Sequence, residues 1–324
     1  MRRLLVIVSC CLGLGCAAPV VADGAGGPVP AQQAGAGVSA PGSNLAYIAV
    51  PAGRSTVIER LRRGDGMVER TRLLAGRWGV PGVAYDGSAT GVSSETLVLA
   101  DARAVYPVKR TRLMLLRTST LRPFARITLP GWFTVDAVSP DGRWMYLIHY
   151  TSISNTNHYE VRAYDLRARR LVSNPVIDPR EPDEKMQGIP VTRVMSADGR
   201  WAYTLYQRPE EAPFIHALDT QERTARCIDL DDVSDNDLGE AHLVLTRGGA
   251  TLRVDGPAGP LALVDPRTWA VRKPPANPTP RAAPAPRQAA SGGRGVPWEL
   301  AFVALVPLAG LLAVIRRRRR AAVR

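Results

Sequence analysis

Between Asp229 and Glu240 the chain reads DLDDVSDNDLGE, which places six carboxylates within twelve residues. Hard oxygen donors at that density suit calcium. Asp229, Asp231, Asp232, Asp235, Asp237 and Glu240 do not match an EF-hand loop, whose sixth residue is glycine. Asp229–Glu240 therefore has two readings, a calcium site or an acidic loop in water. A second acidic stretch, DPREPDEK at 178–185, supplies Asp178, Glu181, Asp183 and Glu184, and RPEEAP at 208–213 supplies Glu210 and Glu211. Opposite in sign is Val108–Pro130, where Lys109, Arg110, Arg112, Arg117, Arg122 and Arg126 meet no acid. Bases of this kind either face an anionic polymer or headgroup, or guard strand edges against pairing.

Other chemistries are poorly served. His149, His158, His216 and His242 are scattered and form no pair at helical spacing. Cys227, in the strand-like Arg226-Cys227-Ile228, reads as a small buried hydrophobe. The Gly-Ser-Ala-Thr-Gly at 87–91 is not a nucleophile elbow, because its serine is second and it sits in a hairpin; it reads as a flexible loop. No residue is expected to be catalytic, metal ligands stay unassigned, and no cofactor is expected beyond the calcium alternative.

The elements that must carry these residues are announced by a duplication. SPDGRWMYLIHY at 139–150 returns as SADGRWAYTLYQ at 196–207, 57 residues later, with weaker echoes from Val92 and Leu245. The spacings run near 46, 57 and 50 residues, and in a sequence of short β-branched and aromatic runs this period reads as one four-stranded propeller blade. In the clearest unit the strands are expected at Phe133–Val138, Trp144–Tyr150, Tyr159–Asp165 and Arg170–Ile177. The next has Val191–Met195, Trp201–Gln207, Phe214–Asp219 and Thr224–Leu230. A looser unit covers 82–129, another 241–271, and 45–74 holds about three more strands. The fold class is thus all-β, a propeller of about five four-stranded blades, with closure expected to mix strands from both chain ends.

In the repeated turn, Asp141 and Asp198 suit the second central position of a type I turn, and Gly142 and Gly199 the left-handed position that closes the hairpin. Gly37, in a segment read as disordered, is expected to be indifferent to substitution. The strand after each turn is apolar on both faces, as a blade between two blades requires. SPDGRWMYLI and SADGRWAYTL, followed by third strands ending VRAYDLRARR or IHALDTQER, resemble the repeats of secreted bacterial β-propellers of the YVTN and TolB-like type. The chain also resembles an actinobacterial class built as signal, propeller, stalk and anchor, a likeness that implies the architecture and no activity.

The two ends specify a location. Arg2 and Arg3 precede the apolar run Leu4–Leu14 and then small residues, so 1–22 reads as a signal peptide, with lipidation at Cys16 as the alternative. Residues 23–43 are Gly-, Ala- and Pro-rich and read as a disordered leader. The propeller then occupies 44–272. Residues 273–296 form a Pro/Ala-rich stalk, 297–315 a transmembrane helix and 316–324 a basic cytoplasmic tail. An alternative cuts the chain at a Gly-Gly sorting tail near Ser291-Gly292-Gly293. The formal charge of +13 is largely topological, since residues 23–271 hold 29 bases against 28 acids. No nucleic-acid partner is expected.

These readings predict a single-pass plasma-membrane protein with an extracytoplasmic propeller and a cytoplasmic C-terminus. Its partners would be the membrane, through the C-terminal helix, and an envelope protein or polymer. The function read is an interaction or ligand-binding module at the cell envelope; a lactonase-like hydrolase and an envelope sensor are the alternatives. Propeller connectivity places the three acidic stretches on one face, together with a basic sector of Arg103, Lys109 and Arg110. Arg143, Arg167, Arg169, Arg170, Arg200, Arg223 and Arg226 go to the other.

Overall fold

The repeated turn works through its serine as well as its glycine. Ser139 Oγ donates to Asp141 Oδ1 (2.6 Å) and accepts from the Trp144 N–H (2.9 Å), while Asp141 Oδ1 also accepts from the Arg143 N–H (3.0 Å). Ser196, Asp198, Arg200 and Trp201 repeat the set at 2.6, 3.1 and 2.8 Å. Gly142 and Gly199 are left-handed, with φ of 63° and 74°, as expected of this turn.

In the computed structural model, which describes residues 28–208 and 211–275, these turns join strands into five antiparallel sheets, each made from one contiguous stretch of chain. Sheet 1 holds β1 (Leu45–Ala52), β2 (Ser55–Arg62) and β3 (Val68–Ala75). Sheet 2 holds β4 (Trp78–Gly79), β5 (Thr96–Asp101), β6 (Arg110–Arg117) and β7 (Pro123–Pro130). Sheet 3 holds β8 (Trp132–Val138), β9 (Trp144–Tyr150), β10 (Tyr159–Asp165) and β11 (Arg170–Val176). Sheet 4 holds β12 (Ile189–Met195), β13 (Trp201–Gln207), β14 (Phe214–Asp219) and β15 (Thr224–Asp229). Sheet 5 holds β16 (His242–Leu245), β17 (Leu252–Gly256), β18 (Gly259–Val264) and β19 (Val271–Arg272).

The two-sided apolar strands do what their pattern demands. Met145 and Leu147 of β9 cluster with Leu113, Leu115 and Ile127 of sheet 2, while Trp144 and Tyr146 cluster with Ala202, Leu218 and Ala225 of sheet 4. Further clusters join sheet 1 to sheet 2 and sheet 4 to sheet 5. Burying a residue such as Leu147, 0% exposed, contributes roughly 2 kcal/mol, so these layers dominate stability. Successive meanders packed face to face are the blade order of a propeller.

Four expectations need correction. Among the described residues no sheet mixes strands from the two chain ends. Instead, residues 28–43, read as part of a disordered leader, run along sheets 1 and 2: Gln32 bridges Val80, Val38 bridges Tyr47, and Val38 enters the core at 5% exposure. The segment lies beside β1 at the position where sheets 2 to 5 carry their first strand, so sheet 1 needs nothing from the C-terminus. Gly37 is accordingly not indifferent, since its φ is 78° and a Cβ there would meet the Tyr47 carbonyl oxygen at 2.4 Å. The Gly-Ser-Ala-Thr-Gly stretch is a hairpin, as read, and it is tied down rather than free. Gly82 bridges Ala89, the Tyr85 N–H donates to the Pro190 carbonyl, and Thr90 Oγ1 donates to the Asp136 carbonyl at 2.7 Å. This hairpin thereby links sheet 2 to β8 and β12.

The signal at 1–22, the span at 297–315 and the tail at 316–324 lie outside the described residues, as does nearly all of the stalk at 273–296. Among the described residues no helix is long and apolar enough to cross a membrane.

Candidate functional site

Arg208, immediately after β13, gathers the acids that the sequence leaves far apart. Its Nε donates to the Ala212 carbonyl at 2.8 Å, and its carbon Cζ lies 4.8 Å from the centre of the Phe214 ring, so backbone and aromatic fix the guanidinium. Nη2 then reaches Asp229 at 2.7 Å, and Nη1 reaches Glu211 at 3.3 Å and Glu184 at 3.6 Å. Gln187 Nε2 donates to Glu211 at 3.2 Å, closing the ring of contacts. One cation thus holds three carboxylates, supplied by the loop before β12, the loop after β13 and the end of β15.

The crowding marks Glu184. Burial, then hydrogen bonding and repulsion from Glu181, push its carboxyl up to about 7 against the pull of Arg208. Glu181 itself lies 3.8 Å from Arg180. Asp178 behaves differently. It is 4% exposed and accepts from Arg180 Nη2 at 2.5 Å and from the Cys227 N–H at 2.9 Å. Burial raises its pKa, but the Arg180 side chain and the two N–H donors prevail and hold it below the usual range. Asp178 is therefore a structural tie to β15, not a surface acid as its place among the binding-face residues implied.

The acidic loop 229–240 divides. Leu230, Val233, Leu238 and Ala241 are buried in the cluster between sheets 4 and 5 and anchor it. Asp229 turns toward Arg208, whereas Asp232 pairs with Lys273 at 2.9 Å. Asp235 and Asp237 lie in a short 3-10 turn capped by Ser234. Asp183, Asp231, Asp237 and Glu240 are exposed. Glu210 lies outside the described residues. Among the described residues no three His, Cys, Asp or Glu side chains converge in a way that would hold a metal ion.

The other face carries the arginines of the repeated turns. Arg143 and Arg223 both lie against the Trp144 ring, at 4.6 and 4.5 Å, and Arg200 pairs with Asp219 at 2.6 Å. Arg167 and Arg169 share the turn after Asp165, and Arg170 opens β11. Arg226 lies within β15 rather than in a turn.

Sequence reasoning missed a buried polar layer between sheets 3 and 4. Cross-strand register aligns Arg193, Thr204, His216 and Cys227 on one face of sheet 4. Arg193 donates to Thr204 Oγ1 at 2.6 Å and pairs closely with Asp136 of β8. Burial takes His216 down to about 4, so it is neutral at neutral pH, and pushes the Cys227 thiol up to about 12. Cys227 is half-buried where the sequence read it as buried, and its raised pKa does not suit a nucleophile. The histidines do not assemble, and His149 stacks on Phe133 with centroids 4.3 Å apart.

Neither a family model nor a curated protein sequence matches the chain. Among solved structures it is similar to hydrazine synthase of Kuenenia stuttgartiensis, with 14% identity over 82% of this chain and 70% of that one, at a TM-score of 0.41. TolB from Acinetobacter baumannii is 14% identical over 71% of this chain, which spans 56% of TolB, at 0.34. An oligogalacturonate lyase solved with manganese is 12% identical over 73% of this chain and 63% of that one, at 0.44. Values this low transfer neither activity nor ligand.

Proposed function

We propose that the protein is a membrane-anchored, extracytoplasmic β-propeller that acts as an interaction module at the cell envelope, with the acids around Arg208 as its contact surface for a cationic partner. The observation that carries this reading is the imbalance at Arg208. Glu184, Glu211 and Asp229 remain 40, 52 and 50% exposed while sharing one guanidinium, so the cluster keeps an excess of negative charge facing water. Such a field attracts cations and steers basic partners. Anchoring rests on the apolar run 297–315 followed by the arginines of 316–320, and export on the charged and apolar start of the chain.

The test measures binding of fluorescent oligolysine to the full chain by anisotropy. Binding should weaken as ionic strength rises, and Glu211→Gln combined with Asp229→Asn should weaken it at low salt while leaving the thermal midpoint within a few degrees. Unchanged binding by the double variant reduces the acidic sector to a solubility device.

A further inference from the structure

A hollow beside sheet 2 is lined by none of the acids around Arg208. It has a volume of about 460 Å³, within the usual range for small-molecule sites, and runs from the loop after β5 to β6 and β8. Asp101 ends β5 and organises its basic wall. It accepts from the Arg103 N–H at 3.0 Å and from Arg103 Nε and Nη2 at 3.1 Å, and it lies 3.6 Å from Arg112 Nε. A carboxylate that takes two hydrogen bonds from one guanidinium fixes its plane. Arg103 and Arg112 are nevertheless 54 and 60% exposed, so each can receive a ligand. Arg110 also lines the hollow, and among the described residues no carboxylate pairs with it.

The remaining walls include several apolar side chains. Phe133 and Leu113 are buried, and Tyr106 stacks on Trp132 with centroids 5.6 Å apart. Val105, at the hollow's edge, is 83% exposed, the highest value among the exposed large apolar residues. The Thr111 hydroxyl, bonded to the Gly131 carbonyl at 3.0 Å and to the Phe133 N–H at 2.9 Å, ties β6 to β8. Three guanidiniums against one carboxylate, next to apolar walls, form a combination that edge protection of a strand does not require.

We propose that this hollow binds a small organic anion, a phosphate monoester or a carboxylate with an apolar group, with its charge received by Arg110, Arg103 and Arg112 and its apolar part lying against Val105 and Phe133. Fully charged arginines give a site that does not switch off across neutral pH. The ligand's apolar group distinguishes it from inorganic phosphate, and a vesicle arm in the test distinguishes it from a lipid headgroup.

The experiment uses the full chain in detergent and titrates phenyl phosphate, inorganic phosphate and neutral benzyl alcohol by calorimetry, with phosphatidylglycerol vesicles as a separate arm. Phenyl phosphate should bind saturably and more tightly than the other two soluble probes. Arg110→Gln should weaken it about tenfold. Val105→Glu, at an exposed position where folding is indifferent, should weaken it through repulsion without removing any arginine. Glu211→Gln with Asp229→Asn should leave it unchanged, which separates this site from the acidic sector. Equal binding by parent and both single variants overturns the proposal, as does binding confined to vesicles or a neutral probe that binds as well as phenyl phosphate.

Discussion

Two arginines, one within β12 and one just after β13, face carboxylates with opposite results. Arg193 meets Asp136 one to one, with side chains 4 and 1% exposed, and its remaining donors go to Thr204 and the Asp136 carbonyl. Arg208 meets Glu184, Glu211 and Asp229, three carboxylates that keep 40 to 52% of their surface. In the first place charge is cancelled and withdrawn from water, where leaving either partner alone is costly. In the second it is only partly cancelled and remains in contact with solvent, where each pair is weak and exchangeable. The same residue types thus hold sheets 3 and 4 together at one depth and present a field at another.

The sharpest way to break this contrast is to delete one acid from each. Asp136→Ala strands a buried guanidinium and should cost about 3–5 kcal/mol in urea unfolding. Asp229→Ala removes an exposed acid from a cation that keeps two others, and should cost about 1 kcal/mol or less. Similar losses at the two sites would mean that the rim cluster is as structural as the interior pair, and the proposed contact surface would lose its basis.

What the sequence made legible follows the same divide. The boundaries of β9, β10, β13 and β14 match the expected strands residue for residue, because alternation of large apolar residues on both faces encodes a blade between two blades. The joining of the 178–185 and 208–213 stretches followed from connectivity. Arg208 as their hub did not, because one arginine among acids carries no pattern. Asp136 and Arg193 were invisible for a related reason: 57 residues separate them and only the stacking of β8 on β12 brings them together. Residues 28–43 misled through composition, since Gly, Ala and Pro look unstructured until a strand edge offers them hydrogen bonds. Gly37 gives the measurable consequence. Gly37→Val should cost more than about 2 kcal/mol, because positive φ and a backbone oxygen both oppose the new side chain. Gly142→Val should cost about 1 kcal/mol or more, from φ with little crowding. A stable Gly37→Val variant would return this segment to the status of a free leader and leave the inner edge of sheet 1 without its cover.

The smallest expected effect separates two carboxylates of one loop by pH. Glu184 has its pKa raised from about 4.5 to about 7, by burial first and Glu181 second. The folded protein therefore holds this proton more tightly than the unfolded chain, and the contribution is fully present below pH 4.5 and lost as pH rises toward 7. Asp178 is shifted the other way, because the donors around it outweigh its burial, so its contribution is present above the ordinary carboxylate pKa and lost as pH falls. The thermal midpoint of Glu184→Gln should accordingly gain on that of the parent between pH 4.5 and 7, while Asp178→Asn should be destabilised most near neutrality and least in acid. Glu184 is 40% exposed, so solvent screening keeps its effect small. A parent-to-variant difference at Glu184 that stays flat across this window would show that its carboxyl is neither buried enough nor crowded enough by Glu181 to hold its proton toward pH 7.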